Sequence, residues 1–165
     1  MTPYQDIPTL PTMSLFIHHH LDELLADEYV LMNKTVNLLL CLPIVPEKEV
    51  PETVYDELKK NVKDITAFLK LNAHSTNLSI NNFLEKTRLA SMPTIESCYA
   101  WFQHIINDHQ FIVLRIDEML SILENNDDVY QIFKQIKKRH TAILSFLNNY
   151  MQKFSNLSML SNIAG

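Results

Sequence analysis

The sequence predicts an all-α fold: a four-helix bundle with a short extra helix between its second and third long helices. Apolar residues recur at helical spacing through most of the 165-residue chain. Its one glycine is Gly165. Without internal glycine there is no Gly-rich phosphate loop and no dinucleotide fingerprint. Two-residue hairpins that need positive φ are also hard to build. The length suits one domain with a sizeable core.

Residues 1–12 hold Pro3, Pro8 and Pro11 and show no periodicity, so they read as an arm. The first long helix is expected from Met13 to Cys41, with Ile17, Leu21, Leu24, Leu25, Leu31, Met32, Leu38 and Leu39 along its apolar stripe. Pro43 and Pro46 forbid its continuation. The second is expected from Pro51 to Ala73, with proline at the first helical position and Glu52 favouring the N-terminal dipole. A short helix should cover Ile80 to Arg88. Ser91-Met92-Pro93 should open the third long helix, which runs to Glu124 on a stripe from Phe102 to Leu123. The turn Asn125-Asn126-Asp127-Asp128 supplies a cap for the fourth, Val129 to Phe154. The expected organisation is an arm at 1–12, a bundle at 13–154 and a tail at 155–165.

A net charge of −5 argues against a dominant DNA-binding surface, which needs clustered Lys and Arg. The dense basic run, Lys134, Lys137, Lys138 and Arg139, reads as a solvated helix face with acidic neighbours. The residues up to Ser14 contain no Lys or Arg, so DNA binding through a basic arm finds no support. No apolar stretch reaches the roughly 20 residues of a membrane span. Met1 to Pro11 lacks the pattern of a signal peptide. Two cysteines, Cys41 and Cys98, fit a reducing compartment. The expected location is the cytoplasm.

Three helices each carry one ionisable residue at the centre of the apolar stripe. At about 100° per residue, Glu28 falls among Leu21, Leu24, Leu31 and Met32. His109 falls among Phe102, Ile105, Ile112 and Val113, and His140 among Phe133, Ile136, Ile143 and Leu144. Midpoints share a level in an antiparallel bundle, so the three should meet inside. The second helix would contribute Val62 and Thr66 at that height, with Tyr55 two turns away. A buried charge must be paired or neutralised. A carboxylate accepting from two imidazoles makes a self-satisfied network. The same trio is a minimal metal half-site, although the full di-iron signature, Glu-x-x-His from each of two helices, is absent. Both readings stay open. His18, His19 and His20 are consecutive and cannot converge from one helix face. His104 should face outward, with Asp108 at the boundary as a solvated i,i+4 pair or a surface metal site.

The stretch Leu21-Asp22-Glu23-Leu24-Leu25-Ala26-Asp27-Glu28-Tyr29-Val30-Leu31, followed by Lys34-Thr35-Val36-Asn37, resembles the first helix of the Dps family, the mini-ferritins of starvation DNA protection. Val54-Tyr55-Asp56-Glu57-Leu58 resembles the start of the family's second helix, and Phe83-Leu84-Glu85-Lys86-Thr87-Arg88 its short helix. Asp108-His109, the Asn126-Asp127 turn and His140 fall in register, so the resemblance spans residues 20 to 151. It implies a ferritin-like bundle in a shell, usually of twelve subunits, that oxidises ferrous iron and stores it as mineral. Some members bind DNA. The family's active site lies between subunits, with two His from one chain and an Asp and a Glu from its partner.

At those positions the chain departs from the family. Leu39 stands where the resemblance places the first His, Lys48 at the second, and Lys63 and Ala67 at the Asp and Glu. Leu and Ala cannot coordinate iron, and an ammonium group repels it. Three functions compete. One is a Dps-like shell protein of the iron-storage and stress-protection class without its inter-subunit ferroxidase centre, as a homo-oligomer or co-assembled with an active paralogue. A second is a metal-binding enzyme with its site relocated to Glu28, His109 and His140. The third is a non-enzymatic structural or interaction subunit.

Overall fold

The computed structural model describes residues 15–41, 45–72, 79–91, 97–123 and 127–163, and their side chains except at 41, 45–48, 98 and 154–163. Five helices follow in order: α1 Leu15–Cys41, α2 Val45–Leu71, α3 Ile80–Lys86, α4 Cys98–Ile122 and α5 Asp128–Ile163. The expected all-α bundle with a short extra helix is the observed architecture. The expected arm, residues 92–96, the turn residues 125–126 and the side chain of Lys48 lie outside the described residues.

The short helix ends at Lys86 rather than Arg88, and three boundaries differ by more than two residues. α2 begins at Val45 and carries Pro51 inside it. Proline there removes one ladder hydrogen bond; burial of Val50, Pro51 and Val54 offsets that loss. α4 begins at Cys98 rather than near Pro93, because Ser97 is extended and caps it, accepting from the Ala100 N–H at 3.2 Å. α5 runs past Phe154 to Ile163, since Ser155–Ile163 contains no Gly or Pro to stop it.

Partners along the helices fix the topology. Lys34 of α1 meets Asp108 of α4, while His20 and Leu24 lie beside Ile116 and Met119, so α1 and α4 are antiparallel. Asn61 of α2 meets Arg139 of α5, and Thr53 lies near Phe146, which makes that pair antiparallel too. In the α4–α5 hairpin Phe102 reaches Tyr150 and His109 reaches His140. The inward stripes are buried as expected, with Leu21, Leu24, Leu31, Leu58, Ile65, Ile105, Ile112, Phe133 and Ile136 almost fully excluded from water. Each such side chain stabilises the fold by roughly 1.5–3 kcal/mol.

α3 covers the outer face of α1. Ser79 caps it, accepting from the Asn82 N–H. Its one buried side chain, Phe83, stacks on Tyr29 with centroids 4.1 Å apart. Lys86 donates to Asp22 at 2.7 Å. The residues after α3 close on buried Asp27, whose Oδ1 accepts from the Thr87 hydroxyl and the Arg88 N–H, both at 2.8 Å. Arg88 Nη2 donates to Asp27 Oδ2 at 2.9 Å. Burial pushes the Asp27 carboxyl up, and Arg88 and Thr87 oppose that shift. Asp27 thus anchors the crossover to α1.

Candidate functional site

Glu28, His109 and His140 do meet at mid-bundle, and each is fully buried. They form a chain rather than two imidazoles on one carboxylate. His140 Nε2 lies 2.6 Å from Glu28 Oε1, and His140 Nδ1 lies 2.6 Å from His109 Nδ1. Asn61 Nδ2 donates to both Glu28 oxygens at 3.2 Å. The Asn61 orientation is fixed from outside, because its Oδ1 accepts from Arg139 Nη1 at 3.0 Å. The same Nη1 donates to Asp64 at 2.6 Å.

Hydrogen positions follow from these partners. Glu28 accepts from every neighbour, so His140 Nε2 carries a hydrogen. The 3.3 Å contact of Asn61 Nδ2 with His140 Nε2 then joins two donors and is not a bond. One hydrogen lies between the two Nδ1 atoms. Burial, then the charge of His140, hold the His109 pKa well below the usual histidine range, so its ring is neutral. His140 thus bridges Glu28 through Nε2 and His109 through Nδ1. His109 Nε2 is left without a partner among the described residues.

A metal does not fit this arrangement. Both nitrogens of His140 and both oxygens of Glu28 are engaged within the layer, and only His109 Nε2 is unpaired. Among the described residues no group of three His, Cys, Asp or Glu is arranged to hold a metal ion.

The sequence missed Asn61. Val62, expected at this height, is buried and Thr66 is half-buried, while the centre of the buried side of α2 runs Val54, Leu58, Asn61, Ile65, Leu69. That 4-3-4-4 spacing was a signal of its own, with Asn61 as the polar member of the stripe. Arg139 also departs from the solvated-face reading, since it is four-fifths covered and locked to Asn61 and Asp64. Lys137 does keep the expected acidic neighbour, Asp117.

A second correction concerns His104 and Asp108. They are not a solvated pair. Asp108 is buried, and so is Lys34, with 2% of its side chain exposed. Lys34 Nζ donates to Asp108 Oδ2 at 2.7 Å, to the Ala90 carbonyl at 2.6 Å and to His104 Nε2 at 3.1 Å. This cluster ties α1 to α4 and to the segment after α3. The His18–His20 run sits at the boundary as expected: exposed His19 and partly covered His20 both face Glu23.

The positions that the resemblance assigns to iron ligands lie elsewhere. Leu39 is half-buried on α1; Lys63 and Ala67 are exposed on α2. Lys63 and Ala67 border a groove of about 800 Å³ along α1 and α2, outside the bundle core.

No protein-family model matches the chain, and no curated protein matches it in sequence. Solved structures match it closely in shape. The bacterioferritin-related protein of Bacteroides fragilis, a dodecameric thioferritin, superposes with a TM-score of 0.78 at 15% identity over 87% of this chain and 89% of its own. Dps from Thermosynechococcus elongatus gives 0.74 at 10% identity over 82% and 90%. Dps from Vibrio cholerae, a member of the ferritin-like diiron-carboxylate superfamily, gives 0.73 at 11% identity over 87% and 99%. The chain therefore has the ferritin-like fold of the Dps and bacterioferritin-related proteins, as the resemblance at residues 21–37 implied. Among the described residues, no helix is long and apolar enough to cross a membrane.

Proposed function

We propose that this chain is a Dps-like, ferritin-fold shell subunit of the iron-storage and stress-protection class that has lost the inter-subunit ferroxidase centre. One observation carries the reading: Leu39, Lys63 and Ala67, at the expected ligand positions, offer iron no carboxylate or imidazole, and among the described residues the interior trio Glu28, His109 and His140 is closed on itself. Iron is then cargo, entering a shell built of this chain alone or mixed with an active paralogue. The Glu28–His140–His109 layer is a structural network that sets helix register, not a relocated metal centre. The subunit works in the cytoplasm and does not bind DNA. Particle mass and metal content measured on one purified sample test this. A mass near twelve times the 19.2 kDa chain, with no stoichiometric metal lost on His109→Ala, supports the reading. A monomer, or metal held in fixed ratio by His109, overturns it.

A further inference from the structure

The groove along α1 and α2 has an apolar side and a cationic side. On α1, Tyr29 and Met32 line it. Val36 and Leu40 continue the Tyr29 row, within about 40° of one another at about 100° per residue, and both are exposed. On α2, Lys59, Lys60, Lys63 and Lys70 line the groove against one carboxylate, Asp56. Lys60 is engaged with Glu57. Among the described residues, no hydrogen bond or ion pair joins Lys59, Lys63 or Lys70 to a partner. These three fall within about 40° of one another on α2 and span about 16 Å along its axis. An uncovered apolar row flanked by charge marks a protein contact.

In the proposed shell this face lies between subunits, because Lys63 and Ala67 stand at positions that the resemblance assigns to an inter-subunit centre. A two-fold contact between identical chains is self-complementary, so the same patch faces itself. Every counter-charge must then come from that patch, and it holds Asp56 alone for the unengaged Lys59, Lys63 and Lys70. Like charges juxtaposed across an interface select against that pairing, and ammonium groups desolvated without carboxylates weaken it further. The whole chain carries a net charge of −5, so the cationic face is a local feature and not the average of the surface.

We propose that this face pairs with a different chain of the same fold, one whose matching face carries carboxylates, in preference to a second copy of this chain. The apolar rows would pack together, and the partner's carboxylates would accept from Lys59, Lys63 and Lys70 in charge-assisted hydrogen bonds. This pairing rests on the shell reading above, and it selects the mixed shell over a shell of one chain.

An acidic-faced partner can be made from the chain itself as Lys59→Glu/Lys63→Glu/Lys70→Glu. The intact wild-type chain and this variant, one of them carrying a small mass tag, would be co-expressed and their assemblies read by native mass spectrometry at low ionic strength. Mixed pairs should exceed random mixing by at least about tenfold. The excess should shrink above roughly 0.15 M salt, where the screening length is about 8 Å. Lys59→Gln/Lys63→Gln/Lys70→Gln, which removes the charge without reversing it, should associate with itself more tightly than the wild type does. Lys134→Glu/Lys138→Glu on α5 should mix with the wild type at random. Random mixing of the α2 variant, an equal preference for the α5 variant, or wild-type self-association that weakens as salt rises would overturn the proposal. Large particles of random composition would overturn it and leave the shell standing, whereas monomers in every combination would overturn both.

Discussion

The buried layer makes a quantitative prediction through Glu28 and His140. Glu28→Leu leaves the fully buried His140 Nε2 with no carboxylate, while the Asn61 amide loses both of its acceptor oxygens. His140→Leu leaves the Glu28 carboxylate with Asn61 alone. Breaking a buried pair from one side costs about 3–5 kcal/mol. The double variant Glu28→Leu/His140→Leu removes both partners together. What remains unpaired is the Asn61 amide and His109 Nδ1, at about 1–3 kcal/mol for each orphaned group. The double variant should therefore lie near either single one, not near their sum. The coupling is then about 3–5 kcal/mol, at or above the top of the range for residues in contact. Urea unfolding of all four proteins at one protein concentration measures it, because assembly contributes to apparent stability. Losses that add to within about 0.5 kcal/mol would refute the assignment of a closed ion pair.

Other consequences follow from the same contacts. The His109 pKa is lowered chiefly by burial, whereas an unfolded histidine titrates near 6.5. The unfolded chain thus binds the extra proton, and stability is full above about pH 6.5 and falls below it by up to about 1.4 kcal/mol per pH unit. His109→Phe should flatten that fall between pH 6.5 and 5, and parallel stability curves would count against it. Lys34→Met strands the buried Asp108 carboxylate and should cost about 3–5 kcal/mol, read as a lower urea midpoint; a loss under about 1 kcal/mol, the surface-pair range, would show the cluster is solvated. Phe83→Ala removes the one buried anchor of α3 and should cost about 3–5 kcal/mol. Hydrogen exchange should accelerate first in α3 and around Arg88, and uniform acceleration would contradict a local anchor.

The helices and their inward stripes were legible because spacing alone determines them. Leu21 through Leu31, or Phe133 through Leu147, can bury one face only as helices. The convergence of Glu28, His109 and His140 was legible for the same reason, since three mid-stripe positions in antiparallel helices share a level. Their connectivity was not. Which nitrogen faces which oxygen depends on rotamers and on Asn61, whose place on α2 became clear only with the helix phase. Lys34 was illegible for a related reason: a long cationic side chain reads as surface until its three partners, brought from α4 and the segment after α3, are seen together. The boundaries at Val45 and Cys98 depended on packing around Pro51 and on the extended Ser97, which local propensity does not resolve.

The central claim is that this ferritin-like chain does not oxidise iron at the place where Dps proteins do. Stopped-flow mixing of the purified, assembled protein with ferrous iron and either oxygen or hydrogen peroxide tests it most directly. The account predicts ferric absorbance rising no faster than in protein-free buffer, with no phase that saturates in iron. A fast, saturable phase would contradict it, most sharply if it survived substitution of Lys63 and disappeared with His109→Ala.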